Sequence, residues 1–242
     1  MEAVLEVENL KKSFGSNNVL RGFTFQLFKG ENLVVLGRSG SGKSVLIKCI
    51  IGLVRPESGT IKVFGKDIIG MRSSGLDRMR TKVGFLFQNN ALYDSMTVRD
   101  NLEFPLRRHW IGKSRAEVDA LVLEALENVG LPQTVNMMPS ELSGGMRKRI
   151  GLARTLILKP DIILYDEPTT GLDPITGREI SNLILNIQKK YNTSSIIISH
   201  DMSCVEITAN RIVVLANGIC YAEGTYDELK KSTDPLIKQY FE

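Results

Sequence analysis

Gly37-Arg38-Ser39-Gly40-Ser41-Gly42-Lys43-Ser44, placed directly after the apolar run Leu33-Val34-Val35-Leu36, fits the pattern G-x-x-x-x-G-K-[ST] at every fixed position. Glycines at these spacings let the backbone wrap around phosphate oxygens with its N–H groups turned inward. Lys43 can then reach the β and γ phosphates and Ser44 can ligate Mg2+. The stretch is a P-loop, and it predicts a buried strand feeding a helix that starts at Lys43.

Leu142-Ser143-Gly144-Gly145-Met146 is a second glycine-rich turn, opening an amphipathic run that begins at Arg147. It offers N–H groups and a helix N-terminus to an anion but has no lysine of its own. Ser143, Gly144 and Gly145 therefore look like half a site, serving a nucleotide held elsewhere.

Ile162-Ile163-Leu164-Tyr165 reads as a parallel strand buried on both faces, and it ends in adjacent carboxylates, Asp166-Glu167. Ligands of open α/β sheets bind at the carboxyl edge of the strands. Two like charges there need compensation, which a Mg2+ ion and an attacking water supply: Asp166 would hold the metal, and Glu167 would deprotonate the water. His200 follows a second apolar strand, Ser195 to Ser199.

Around these motifs the chain alternates short apolar runs and turns. Strands are expected at Val4 to Leu10, Val19 to Phe28, Asn32 to Leu36, Gly59 to Val63 and Val83 to Phe87. Residues 89–159 turn helical. Ser114 to Glu117 forms a capping box ahead of apolar residues spaced by 3 and 4, with Gly130 as the stop. Asp173 caps, and Pro174 starts, a helix whose Ile180, Leu183, Ile184 and Ile187 face the sheet. The order strand, helix, strand implies an α/β fold with a parallel central sheet.

The order of the P-loop, Gln88, Leu142-Ser143-Gly144-Gly145, Asp166-Glu167, Gly171-Leu172-Asp173 and His200 resembles the nucleotide-binding subunits of ABC transporters over nearly the whole chain. The resemblance implies a RecA-like P-loop NTPase core, an N-terminal antiparallel β subdomain and an inserted helical lobe at about 89–159. It implies one ATPase domain over 1–242, with a C-terminal tail at about 226–242. ATP and Mg2+ are the implied ligands. By the same resemblance Gln88 binds Mg2+ and the reacting water, and Phe14 stacks on adenine. His200 bonds the γ phosphate, and Asp173 helps set the site of an opposing subunit. Two copies would sandwich ATP and drive integral-membrane permease subunits from the cytoplasmic face of the inner membrane. Met146 stands where the family commonly has glutamine. The stretches 138–149, 87–102 and 234–241 resemble the ATPases of Mla-type phospholipid transport, which adds accessory lipid-transport subunits as partners. The apolar Leu92, Tyr93 and Met96 are expected on a permease-facing surface.

Composition bounds the alternatives. With 242 residues and 43% hydrophobic content the chain can bury one sizeable core. No apolar stretch approaches the roughly 18 to 20 residues that span a bilayer, and no apolar signal core opens the chain. A net charge of +4, with basic residues scattered, gives no footprint for nucleic acid. Cys49, Cys204 and Cys220 are an odd set without metal-binding spacing, expected to be reduced structural thiols. An ABC ATPase working away from membranes would carry a long coiled-coil insertion or two cassettes. A non-hydrolysing regulatory module would have lost Glu167 or His200.

Overall fold

The computed structural model describes residues 2–109 and 113–242; part of the segment 89–159, at 110–112, lies outside them. Among the described residues ten strands form two sheets. The first is antiparallel, built from β1 (Ala3–Phe14), β2 (Asn17–Phe28), β4 (Ser58–Val63) and β5 (Lys66–Asp67) in the order β2-β1-β4-β5. The second has the order β10-β9-β3-β8-β7-β6. It contains β3 (Asn32–Leu36), β6 (Val83–Leu86), β7 (Ile162–Asp166), β8 (Ser194–Ile198), β9 (Arg211–Ala216) and β10 (Ile219–Gly224).

Five of the six strands run parallel, and the edge strand β10 pairs antiparallel with β9. The expected parallel sheet is present at the centre, closed at one edge by a hairpin with Asn217 and Gly218 at positive φ in its turn. β3, β7 and β8 are buried at every position, which is why Leu33–Leu36, Ile162–Tyr165 and Ile196–Ile198 within them read as apolar runs rather than alternating ones.

Side-chain alternation along these strands divides the core in two. Val34, Leu36, Ile163, Tyr165 and Ile197 face one side, against α3 (Val98–His109), α4 (Arg115–Asn128), α5 (Gly144–Leu156) and α6 (Pro174–Tyr191). Leu33, Val35, Ile162, Leu164, Ile196 and Ile198 face the other, against α1 (Lys43–Ile50) and the antiparallel sheet. Each fully buried Leu or Ile contributes about 1.5–3 kcal/mol relative to an exposed one, so register is firmly set. The hydrophobic stripes of α4 and α6 fall where their spacing placed them. Ser114 and Glu117 close the capping box, and the Asp173 carboxylate accepts from the Ile175 and Thr176 amides at 3.1 and 3.0 Å.

Several elements escaped the sequence. α2 (Ser73–Lys82) buries only Met79 and has no side-chain cap, so it carries no periodic signal. α5 begins at Gly144 rather than Arg147: the Ser143 hydroxyl caps it by accepting from the Met146 amide, which puts both glycines inside the first turn. β1 and β2 are longer than their apolar runs because they meet in a hairpin pairing Phe14 with Asn17. Between β8 and β9 the chain adds α7 (Met202–Thr208), and beyond β10 it adds two short helices, α8 (Tyr226–Lys230) and α9 (Pro235–Lys238). Among the described residues no helix is long and apolar enough to cross a membrane.

Candidate functional site

The P-loop joins the carboxyl end of β3 to α1. Two of its glycines are forced by geometry. A Cβ on Gly42, whose φ is +106°, would lie 2.6 Å from Val19 Cγ1, and one on Gly37 would lie 2.8 Å from the Leu215 carbonyl oxygen. Lys43 is 8% exposed and donates to the Gly37 and Arg38 carbonyls at 2.6 and 3.0 Å, so its ammonium lies folded into the loop. Burial lowers its pKa, opposed by the Glu167 and Asp166 carboxylates. The buried Ser41 hydroxyl has no partner, which suits a loop whose polar groups are shaped for an anion.

β7 and β8 end beside this loop. Ser44 Oγ lies 3.4 Å from Asp166 Oδ1. Burial first, and the Glu167 carboxylate next, hold the Asp166 carboxyl above its usual range. Glu167 adopts a left-handed backbone, φ 53°, and its amide donates to the Ile198 carbonyl. Its Oε2 lies 2.8 Å from His200 Nδ1 and accepts from the Thr170 hydroxyl at 3.2 Å. A cleft of about 570 Å3 is lined by Gly37, Arg38, Ser39, Gly40, Gly42, Lys43, Ser44, Gln88, Glu167 and His200. Ser44 offers a hydroxyl, Asp166 next to it a carboxylate, and Gln88, which lines the same cleft, an amide. This set fits Mg2+, which takes few protein oxygens and fills its remaining positions with phosphate and water.

The other expected residues lie elsewhere. Ser143, Gly144 and Gly145 do not line the cleft. A Cβ on Gly145 would meet Thr176 Cγ2 at 2.7 Å, and one on Gly144 would meet Leu172 at 3.8 Å, so this loop adjoins the Asp173 turn instead. Phe14 is exposed at the tip of the β1–β2 hairpin, with the Lys12 ammonium 5.0 Å from its ring centre, and does not line the cleft either. Leu92 and Met96 are both half-buried, Leu92 packed against the core. Tyr93 remains exposed against Phe104, with ring centres 4.9 Å apart.

Two cleft residues had no sequence signal. Val19 reaches it from β2, and Tyr240 from the end of the chain, where Gln239 also bonds the Arg38 guanidinium. Nothing local marks either position; only the return of the tail to the P-loop does. A second cavity, of about 360 Å3, lies at the opposite ends of the strands. Its Lys82 and Lys159 are paired with Asp161 and Glu124, which leaves no convergent set of reactive groups.

The model of the ABC transporter family matches residues 20–170, more than half of the chain. The chain belongs to the ABC transporter family. The probable ribonucleotide transport ATP-binding protein mkl of Mycobacterium leprae is 41% identical over 240 residues, 99% of this chain and 69% of that protein. The intermembrane phospholipid transport system ATP-binding protein MlaF of Haemophilus influenzae is 38% identical over 237 residues, 98% of this chain and 89% of that protein. Among solved structures, the dimeric post-hydrolysis state of the ATP-binding cassette MJ0796 bound to ADP and Pi superposes with a TM-score of 0.83. It is 29% identical and covers 91% of this chain and 98% of that one. The chain is thus an ABC transporter ATPase, which hydrolyses ATP to power transport.

Proposed function

We propose that two copies of this chain sandwich two ATP molecules and drive a membrane permease whose cargo is phospholipid. One observation carries the sandwich: the P-loop, Gln88, Glu167 and His200 line one cleft, with Asp166 3.4 Å from Ser44, while Ser143 to Gly145 of the same chain do not line it. That loop, at the N-terminus of the 13-residue α5, is free to meet the nucleotide of a second copy. The dimeric state of the MJ0796 cassette supports the arrangement.

In the working site Lys43 leaves the Gly37 and Arg38 carbonyls and turns its ammonium to the β and γ phosphates. The amides of Gly40, Gly42 and Lys43, with the Arg38, Ser39 and Ser41 segment, line the anion cradle. Ser44, Asp166 and Gln88 would hold Mg2+, which would neutralise phosphate charge when bound. Glu167 orients the attacking water and takes its proton at a carboxylate oxygen. His200, bonded to that carboxylate, fixes its rotamer and presents the other ring nitrogen to the γ phosphate. Phe14 stacks on adenine, and Asp173, beside the Ser143–Gly145 loop, acts at the opposing site.

The helical stretch 89–159 serves as the lobe that meets the permease at the inner face of the membrane. A groove of about 280 Å3 at its junction with the core, lined by Leu53, Phe85, Phe87, Arg80, Arg108 and His109, is the docking surface. The likeness to MlaF over 89% of that protein supports phospholipid as cargo and accessory lipid-transport subunits as partners. The 41% identity to mkl favours a second reading, ribonucleotide transport.

Purification of the chain with its membrane partners, followed by identification of co-purifying lipid and by ATPase assay in liposomes, tests the reading. Bound phospholipid that raises turnover is expected. A complex stimulated by ribonucleotide and indifferent to lipid would establish the second reading, and full activity in a strictly monomeric chain would end the sandwich.

A further inference from the structure

Lys148 is a lysine in a place that strongly disfavours a lysine. It is 4% exposed on α5, and its ammonium donates to two backbone carbonyls, of Gln88 at 2.5 Å and of Glu167 at 3.3 Å. Burial lowers its pKa, with Asp166 and Glu167 opposing. A buried charge of this kind persists only where hydrogen bonding compensates its desolvation.

Both carbonyls belong to groups that the proposed chemistry uses. Glu167 sits in the left-handed region, where a side chain other than glycine is uncommon and is held by its surroundings. Its amide is held by Ile198 on β8 and its carbonyl by Lys148, so the carboxylate projects from a backbone fixed on both sides.

The same face of α5 grips the turn after Gln88. A Cβ on Gly151 would lie 3.1 Å from Leu86 Cδ1 and 3.2 Å from Asn90 Cβ, so the helix packs closely here and a larger residue would require its neighbours to shift by a few tenths of an ångström. Arg154 donates to the Asn90 and Ala91 carbonyls at 2.8 and 2.7 Å, and both of those residues are left-handed as well, with φ of 60° and 50°. Positions 148, 151 and 154 share one helix face by their spacing of three. Ser143, Gly144 and Gly145 start the same helix, one turn from Lys148.

We propose that Lys148 is a positioning residue for ATP hydrolysis, tying the helix that carries the Ser143–Gly145 loop to the Gln88 turn and to the backbone of Glu167. An anion seated on that loop bears on α5, and α5 delivers the change through one ammonium to the two groups that handle the attacking water in this chain's own cleft. The inference rests on the reading of Glu167 as the base.

A double-mutant cycle on the full chain tests it, with Lys148→Met keeping the apolar stem and removing the donor. The expected result is a fall in kcat of about 10- to 100-fold with ATP affinity held within about threefold, since misplacement by roughly an ångström costs on that scale. Lys148→Arg, which keeps a cationic donor, recovers most of the loss. In a Glu167→Gln background, followed by single-turnover phosphate release, Lys148→Met changes the rate by less than about twofold, because residues acting as a unit are not additive. Wild-type kcat in Lys148→Met, a loss of affinity matching the loss of kcat, equal damage from Lys148→Arg, or the full factor persisting in the Glu167→Gln background would each overturn the proposal. If Lys148→Met does not fold, as judged by its thermal melt, Lys148→Gln keeps a neutral donor and carries the same comparison. Wild-type turnover in Glu167→Gln alone would overturn both the base assignment and the route through it. Failure of the Lys148 proposal alone is told apart because Glu167→Gln is then inactive and Lys148→Met is not.

Discussion

Nδ1 of His200 lies 2.8 Å from Oε2 of Glu167, joining the ends of two neighbouring parallel strands at the cleft beside the P-loop. The imidazole is largely exposed and the carboxylate is not, with side chains 68% and 13% accessible. The carboxylate is therefore held from the protein side while the ring stays available to a ligand entering from solvent. Glu167→Gln preserves shape and the capacity to bond His200 but cannot take a proton. Its turnover is expected to fall on the order of 10² to 10⁴ while ATP still binds, so that a closed dimer accumulates. Phosphate release alongside size-exclusion chromatography in ATP checks both halves; wild-type turnover would remove Glu167 from the role of base.

Lys43 spends its hydrogen bonds on its own loop, and those carbonyls are poor substitutes for phosphate. Lys43→Ala should remove a charge-assisted contact worth roughly 1.5 to 3 kcal/mol, weakening ATP binding by about ten- to a hundredfold. Titration calorimetry on a variant with an unchanged thermal melt measures it, and unaltered affinity would refute the contact.

Gly144 is a better probe of the sandwich than Gly145. A Cβ on Gly144 has room, its nearest neighbour Leu172 being 3.8 Å away, whereas one on Gly145 collides with Thr176. Gly144→Asp should fold, bind ATP as a monomer and lose hydrolysis, because its carboxylate would face the γ phosphate of the second copy. Mixed dimers with Lys43→Ala subunits contain one intact site and should regain activity if that site fires alone. Full turnover by Gly144→Asp would mean that the loop meets no nucleotide.

Leu53 is 56% exposed in the groove between core and helices. If the proposed docking groove is used, replacing this side chain weakens a complex rather than the fold. Leu53→Asp should leave basal ATPase activity of the isolated chain unchanged and abolish co-purification with a permease. Retained co-purification would move the docking surface elsewhere.

Arg211 ties the two sheets together, bonding the Glu31 carboxylate at 2.7 and 2.9 Å and the Gln26 carbonyl at 2.6 Å. Those bonds, the Glu31 contact first, hold it firmly protonated. Arg211→Met leaves the mostly buried Glu31 unpaired and should cost on the order of 3 kcal/mol, read as a lower urea midpoint at unchanged slope. A midpoint within error of wild type would make the pair dispensable.

The sequence by itself determined the buried strands and the P-loop that lines the cleft. Leu33 to Leu36 and Ile162 to Tyr165 are apolar at every position because both faces of a central parallel strand are covered. A phosphate loop needs glycines and a lysine at fixed spacing whatever surrounds it. Local rules likewise set the caps at Ser114 and Asp173, since a cap is satisfied within a few residues. Tertiary structure alone decided what depends on distant segments meeting. Tyr240 and Val19 enter the cleft because the tail and the β1–β2 hairpin return to it, and Leu92 turns inward because a core waits there. Lys148 reads as one more basic residue in a helix until α5 is packed on the Gln88 turn. Its meaning comes from two carbonyls, 60 and 19 residues away in the chain, and a backbone carbonyl leaves no mark in a sequence.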